Sequence, residues 1–278
     1  MAHPYVFVND AYIPANEATV LISDLSVQRG YGVFDFLKTI NNIPIFLEDH
    51  LDRFYYSVTE MRLQVAQSRD QLKDIIKELM RLNNMPDSGI RITVTGGYSA
   101  DGYNLAPKSN LIITQQSFVI DPQAVQRGIK LITYNYQRQL SHIKTLDYLK
   151  AIWLQPFIKE SEADEVLYHN NGVLAECPRA NFFIVTQDSK VLTPKNNILK
   201  GVTRKNILAL PQTEIDIEEK EITLEDLLHA KEAFITSTTK NILPVTQIDG
   251  RVLDNGQPGE TTLRLYKLLQ NKLAEFQS

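Results

Sequence analysis

Lys144 is the residue of this chain best suited to covalent chemistry. It lies in His-Ile-Lys-Thr-Leu-Asp-Tyr-Leu-Lys, residues 142–150, at the start of a run where Leu146, Leu149, Trp153, Leu154 and Phe157 recur at helical spacing. A lysine at the mouth of a helix, flanked by core residues, would be held away from water. Desolvation favours the neutral amine, and a neutral amine attacks a carbonyl to form a Schiff base. The plain alternative is a solvated surface lysine, which is how Lys150 and Lys159 on the same run read. A second stretch suits an anion. Residues 198–208, Ile-Leu-Lys-Gly-Val-Thr-Arg-Lys-Asn-Ile-Leu, form a glycine-led start of a helix, whose first N–H groups face outward, and Thr203 adds a hydroxyl. Arg53 stands near the start of another helical run, where the simplest reading is a solvated arginine paired with Asp49. His3, His50, His142, His169 and His229 show no metal-ligand spacing and no acidic cluster joins them, so no metal site is expected.

The elements that must hold these residues can be read in order. Short strands at 5–8 and 11–13 flank the turn Asn9-Asp10. Arg29-Gly30-Tyr31-Gly32 hints at a dinucleotide-binding fingerprint. The third glycine is absent, however, and residues 33–37 alternate as a strand, so that reading fails. Asn41-Asn42 turns the chain back into 43–47. Residues 48–63 read as a helix with Leu51, Phe54, Tyr55, Val58 and Met61 on one face and Glu48 and Asp49 in its first turn. Ser68 caps a second helix running through Asn83. Residues 89–95 alternate as a strand with Arg91, Thr93 and Thr95 on one face. A polar loop, 96–108, and a strand at 110–115 complete an α+β half; a loop of that length is often functional. Asp121-Pro122 and Gly128 mark residues 119–128 as a linker between an N-terminal domain, 1–118, and a C-terminal domain, 129–278. In the second domain, strands are expected at 129–134, 165–169, 173–176, 181–186, 191–193, 214–218 and 232–236. Asn170-Asn171-Gly172 should form a hairpin turn, Thr223 should cap a short helix, and a last helix should span 259–276.

Composition narrows the class. The chain has 278 residues, 43% of them hydrophobic, enough for one large or two medium domains. A net charge of −4 and the absence of any basic stripe argue against a nucleic-acid partner. Cys177 is the single cysteine, so no internal disulfide can form, which fits a reducing, cytoplasmic setting. The first residues lack a signal-peptide pattern, and no apolar run is long enough to span a membrane.

Several stretches together, in sequence order, resemble the class IV aminotransferases. These are the fold-type IV pyridoxal-phosphate enzymes, including branched-chain aminotransferases, D-amino-acid aminotransferases and aminodeoxychorismate lyases. They are Tyr-Gly-Val-Phe-Asp at 31–35, Glu-Asp-His-Leu-Asp-Arg at 48–53, Ile-Lys-Thr-Leu-Asp-Tyr-Leu at 143–149 and Ala-Asp-Glu-Val-Leu at 163–167. Ala-Glu-Cys-Pro-Arg-Ala-Asn-Phe-Phe follows at 175–183, Leu-Lys-Gly-Val-Thr-Arg at 199–204 and Phe-Ile-Thr-Ser-Thr-Thr at 234–239.

The resemblance implies an α+β, two-domain fold with a smaller N-terminal α/β domain and a larger C-terminal pseudo-barrel domain. It implies pyridoxal 5'-phosphate as cofactor and a homodimer. By the same resemblance Lys144 binds the cofactor covalently and shuttles the substrate proton, and Glu176 faces the pyridine nitrogen. Arg53, Val202, Thr203, Ser237 and Thr238 hold the phosphate. Tyr31, Phe34 and Arg91 are candidates for the substrate pocket, and Arg179 is either structural or in contact with substrate. The implied reaction moves an amino group between an L-amino acid, in the first place a branched-chain one, and 2-oxoglutarate. The alternative within the fold is a lyase giving 4-aminobenzoate and pyruvate. Two departures bear on substrate. The D-amino-acid branch carries Arg-x-His in the loop after the Arg91 strand, whereas residues 96–103 here hold neither, which speaks against D-amino acids. The branched-chain group carries an arginine where this chain has Lys38.

Overall fold

The computed structural model describes residues 4–211, 213 and 215–276. Contacts divide the chain into two compact units, one of residues 4–119 with Ile143–Asp147, the other of residues 120–142 and 148–276.

The first unit contains β1 (Tyr5–Val8), β2 (Ala11–Pro14), α1 (Leu25–Arg29), β3 (Gly32–Ile40), β4 (Ile43–Pro44), α2 (Leu47–Glu60), α3 (Arg69–Asn83), β5 (Ser88–Thr95) and β6 (Asn110–Ser117). Its strands form one antiparallel sheet in the order β2-β1-β6-β5-β3-β4. Successive side chains of β3 point to opposite faces. Val33 and Leu37 join Leu51, Phe54 and Val58 of α2 in the core, which α3 extends through Leu72, Ile76 and Leu79. The helix α3 starts on the capping box formed by Ser68 and Gln71, and Asn41 and Asn42 take the left-handed conformations their tight turn requires. The sequence carries no clear signal for α1, a single turn capped by Asp24 and ended by Gly30 at φ 67°.

The second unit contains α4 (Ala124–Arg127), β7 (Ile129–Asn135), α5 (Leu149–Trp153), α6 (Gln155–Glu160), β8 (Glu165–Asn170), β9 (Val173–Leu174), β10 (Glu176–Cys177), β11 (Ala180–Val185), β12 (Val191–Pro194), α7 (Val202–Leu208), β13 (Ile217–Lys220), α8 (Leu224–Leu228), β14 (Glu232–Ser237), β15 (Asn241–Ile248), β16 (Arg251–Val252) and α9 (Glu260–Ala274). A ten-stranded mixed sheet runs β13-β12-β11-β14-β15-β7-β8-β9, with β10 on β11 and β16 on β15. Because β10 also packs against β8, the sheet curls back on itself around Leu131, Leu167, Phe182, Ile184, Ile235 and Leu243. The strand expected at 214–218 begins at Glu214, outside the described residues; Ile215 and Asp216 are not in a strand, and β13 starts at Ile217 and runs to Lys220.

Three expectations need correcting. Residues 119–128 are not an open linker throughout, because α4 forms within them and buries Val125. The strand expected at 173–176 is two short pieces, β9 and β10. Lys144, above all, is not at the mouth of a helix. Residues 143–147 are extended against β3, with the Phe34 N–H donating to the Lys144 carbonyl at 3.0 Å and the Leu146 N–H to the Gly32 carbonyl at 3.0 Å. The helix begins only at Leu149, and of the apolar run Leu149 and Trp153 are exposed while Leu154 is buried. Leu146 therefore belongs to a strand-like segment and only imitates helical spacing.

This close pairing needs Gly32. A methyl group there would lie 2.7 Å from Leu146 Cδ1 and 2.7 Å from the Val94 carbonyl oxygen. Gly32→Ala is expected to cost about 1–3 kcal/mol, as overpacking does, and to lower the melting midpoint; an unchanged midpoint would contradict the packing described.

Candidate active site

In the first unit, the 143–147 segment places the Lys144 side chain over the Phe34 ring, with Nζ 4.7 Å from the ring centroid. Its N–H donates to Ser57 Oγ on α2 at 3.3 Å, so both β3 and α2 fix its backbone. The Arg91 guanidinium carbon lies 3.6 Å from the same centroid. The ring's negative face attracts both cations. Phe34, Phe36 and Lys38 share one face of β3, with Arg91 paired across from Phe36 and Gly89 across from Lys38. Burial pushes the Lys38 amine down to about 8. The Lys144 and Arg91 side chains thus lie against one aromatic ring of β3, and Lys38 stands further along the same face of the strand. The Tyr31 hydroxyl donates to the Met61 carbonyl at 2.6 Å, so it is already committed to the fold.

The opposite face of β3 carries Asp35, fully buried, into a fork with Arg53 of α2. Arg53 Nε donates to Oδ2 and Nη2 to Oδ1, both at 2.8 Å. His50 Nδ1 lies 2.7 Å from Oδ1. A carboxylate only accepts, so Nδ1 carries the proton. Burial alone would raise the Asp35 carboxyl, but Arg53 and His50 outweigh it and hold it well below the usual range. Burial is also the largest influence on His50 and keeps it neutral. The fork uses Nε and Nη2 of Arg53 and leaves Nη1 to donate elsewhere. Asp35 and His50 thus position Arg53, a role for which their sequence neighbourhood holds no separate sign.

In the second unit, Glu176 is buried, and both of its oxygens are engaged. Arg138 Nε donates to Oε1 at 2.9 Å and the Leu199 N–H to Oε2 at 2.9 Å, with Asn181 Nδ2 3.5 Å from Oε2. Arg138 is anchored in turn on the Ser141 carbonyl at 2.7 Å. Sequence reasoning missed Arg138, which sits in a polar loop with no pattern to mark it. Val202 and Thr203 open α7, and Gly201 before them supplies no side-chain cap. A methyl group at Gly201 would meet Asn181 Oδ1 at 2.1 Å, so only glycine fits between that amide and the helix start. Ser237 ends β14, and Thr238 follows in the turn to β15. Ser237 Oγ accepts from the Lys240 N–H at 3.2 Å and contacts Thr239 Oγ1 at 3.2 Å. Arg179 reaches Glu165, with Nη2 3.2 Å from Oε2.

Two buried hydroxyls, Thr145 Oγ1 beside Lys144 and Thr236 Oγ1 beside Ser237, have no hydrogen-bond partner among the described residues. Unpaired buried hydroxyls are costly, so a polar ligand group at each position would suit the chemistry found there. Among the described residues, no group of three or more His, Cys, Asp or Glu side chains could hold a metal ion. No helix among the described residues is long and apolar enough to cross a membrane.

The family model for class IV amino-transferases matches residues 32–248. The chain belongs to the class IV aminotransferase family. It is 31% identical to a D-alanine aminotransferase of Bacillus licheniformis over 96% of each chain. It is 30% identical to a Methanocaldococcus jannaschii protein assigned as a branched-chain-amino-acid aminotransferase, over 94% of this chain and 93% of that one. Among solved structures, the branched-chain amino acid aminotransferase of Escherichia coli superposes with a TM-score of 0.89. It is 23% identical and covers 98% of this chain and 94% of its own. The Thermoproteus uzoniensis branched-chain aminotransferase with norvaline gives 0.88 at 25% identity, covering 98% and 95%. The α+β fold of the chain is therefore the family's.

Asp35→Asn removes the charge that Arg53 and His50 face, and breaking a buried pair costs about 3–5 kcal/mol. Because the folded carboxyl is depressed, its stabilisation is complete above the unfolded value of about 3.9 and fades as pH falls below it. Urea melts should show the gap between wild type and variant shrinking on acidification from about pH 7 to about pH 3; a gap that does not change with pH would contradict the ionised fork.

Proposed function

We propose that this protein is a pyridoxal-5'-phosphate-dependent aminotransferase that moves an amino group between an α-amino acid and 2-oxoglutarate. The observation that carries this reading is the Phe34 ring shared by the Lys144 amine and the Arg91 guanidinium, which puts a carboxylate-binding cation beside the reactive amine. When bound, the cofactor supplies an aldehyde for the amino group and a ring that takes up the electron pair released at the substrate carbon.

The chain's own residues supply the rest. Lys144 Nζ would hold the cofactor's aldehyde carbon and, once the substrate's amino group has replaced it there, would take and return the proton at the substrate Cα. Glu176, kept in place by Arg138 and the Leu199 N–H, would face the pyridine nitrogen and favour its protonated form. Arg53, oriented by Asp35, would hold the phosphate, and Val202, Thr203, Ser237 and Thr238 are the other residues proposed for that task. A guanidinium, helix-start N–H groups and hydroxyls are a donor set suited to a dianion. Arg91, with Lys38 on the same sheet face, receives the side-chain carboxylate of 2-oxoglutarate.

Two observations pull the donor in different directions. The loop at 96–103, without arginine or histidine, favours an L-amino acid, and Phe34 and Phe36 on the Arg91 face suit an apolar branched side chain. Similarity to enzymes named for D-alanine favours a D-amino acid. The holoenzyme should therefore be incubated with 2-oxoglutarate and amino acids of both hands while glutamate is measured. Glutamate from L-leucine supports the first reading and glutamate from D-alanine the second, while none from any donor defeats the proposal. Lys144→Ala should abolish turnover and the visible absorption of bound cofactor, and retained activity would remove Lys144 from its role.

A homodimer is part of this reading. Leu149, Ile152 and Trp153 present one exposed apolar face on α5, which a second copy would cover. Sedimentation should give twice the 31.7-kDa chain mass, and a monomer at micromolar concentration would contradict it.

A further inference from the structure

Two turns of the second unit bring together Arg179, either structural or a substrate contact by the family resemblance, and Lys240, to which no role has been given. Cys177 pairs with Ala180, so Pro178-Arg179 is the two-residue turn between β10 and β11. Ser237 pairs with Asn241, so residues 238–240 form the turn between β14 and β15. The register Asn181–Thr236 sets the start of β11 beside the end of β14, and both turns lie at that end of the sheet. Arg179 and Lys240 are therefore neighbours, and the Arg179 charge acts on the Lys240 ammonium.

Their shared counter-ion is Glu165, buried at the start of β8 and 3.2 Å from Arg179 Nη2. Two cations meet one carboxylate. Lys240 is half-buried, yet its ammonium makes no salt bridge and no hydrogen bond among the described residues. Burial first, and then Arg179, push that ammonium's pKa down. A desolvated cation beside a second cation is unfavourable unless an anion joins them. Cys177, buried alongside, does not supply one, because burial holds its thiol protonated. The Arg179 side chain is 64% exposed, so its guanidinium can be reached from solvent.

We infer that Arg179 and Lys240 form the subsite that takes the α-carboxylate of the amino-acid substrate. The inference rests on the aminotransferase reading, in which Glu176 and Ser237-Thr238, on the same strands and turn, hold the cofactor. A carboxylate bound there accepts from a guanidinium and an ammonium at once, and it restores neutrality around Glu165. The bare loop at 96–103 then no longer speaks against a D-amino acid, since the carboxylate is held elsewhere.

The test titrates the holoenzyme with 4-methylpentanoate, a carboxylic acid with no amine to react, and follows binding by calorimetry. Lys240→Met and Arg179→Met are expected to weaken the acid about tenfold each while cofactor absorbance stays as in wild type, and Lys240→Arg should restore binding. The KM for the amino acid should rise by a similar factor with kcat little changed, and the rate with 3-methylbutylamine, which lacks the carboxylate, should not fall. Acid affinity within about twofold of wild type in both Met variants, no acid binding by wild type, or loss of cofactor in place of loss of acid would each overturn the assignment. If no amino acid turns over at all, the aminotransferase reading fails, and the calorimetric arm still decides whether the two cations hold a carboxylate.

Discussion

Backbone hydrogen bonds to β3 decide where Lys144 stands. A lysine side chain has four flexible methylenes, so its amine is only as well placed as the chain that carries it. Here residues 143–147 act as a short extra edge on β3, tied through Phe34 and Gly32, and the Ser57 hydroxyl of α2 receives the Lys144 N–H. The same strand therefore carries Phe34 under the amine on one face and Asp35 against Arg53 on the other. Alternation along one strand thus gives a single element two tasks, an aromatic seat on one side and an ionic brace on the other.

Two of the buried carboxylates, Asp35 and Glu176, solve the same problem in the same way. Each is removed from water, and each recovers a guanidinium together with a second donor: His50 for Asp35, the Leu199 N–H for Glu176. Such pairs contribute little net stability compared with apolar packing, because desolvation offsets the attraction. They do impose direction. A guanidinium forked onto Asp35 can point its remaining N–H groups only one way. A glutamate fixed at both oxygens cannot swing away from whatever it faces. Orientation, more than stability, accounts for charge at these positions.

Local chemistry makes much of this legible in the sequence. The capping box at Ser68, the asparagine turn at 41–42 and the hairpin at 170–172 each announce themselves through a residue that few other conformations tolerate. The segment around Lys144 reads as helical because Leu146, Leu149 and Trp153 are spaced as on a helix. Tertiary pairing with β3 overrides that period, and the exposed residues of α5 show that burial is not what the spacing records. Arg138 is invisible for another reason. Its partner Glu176 is 38 residues away, and nothing short-range distinguishes a loop arginine that will be buried from one that stays in water. Glu165 with Arg179 and Lys240 is equally hidden, since only the register of β11 and β14 makes their turns neighbours.

Substrate hand follows from where the carboxylate is clamped. A base with a fixed position adds its proton to one side of a planar carbon. Which enantiomer results depends on how the other groups on that carbon are turned when the proton arrives. A strong handle on that turn is the α-carboxylate, an anion that every amino-acid substrate carries and that binds cations with direction. A clamp in the loop at 96–103 and a clamp on the 178–179 and 238–240 turns are different constraints on the same carbon. The chain places arginine and lysine at the second and no arginine or histidine at the first. If the carboxylate is clamped on these turns, the bare loop at 96–103 ceases to favour either hand, and the two turns bear on it instead.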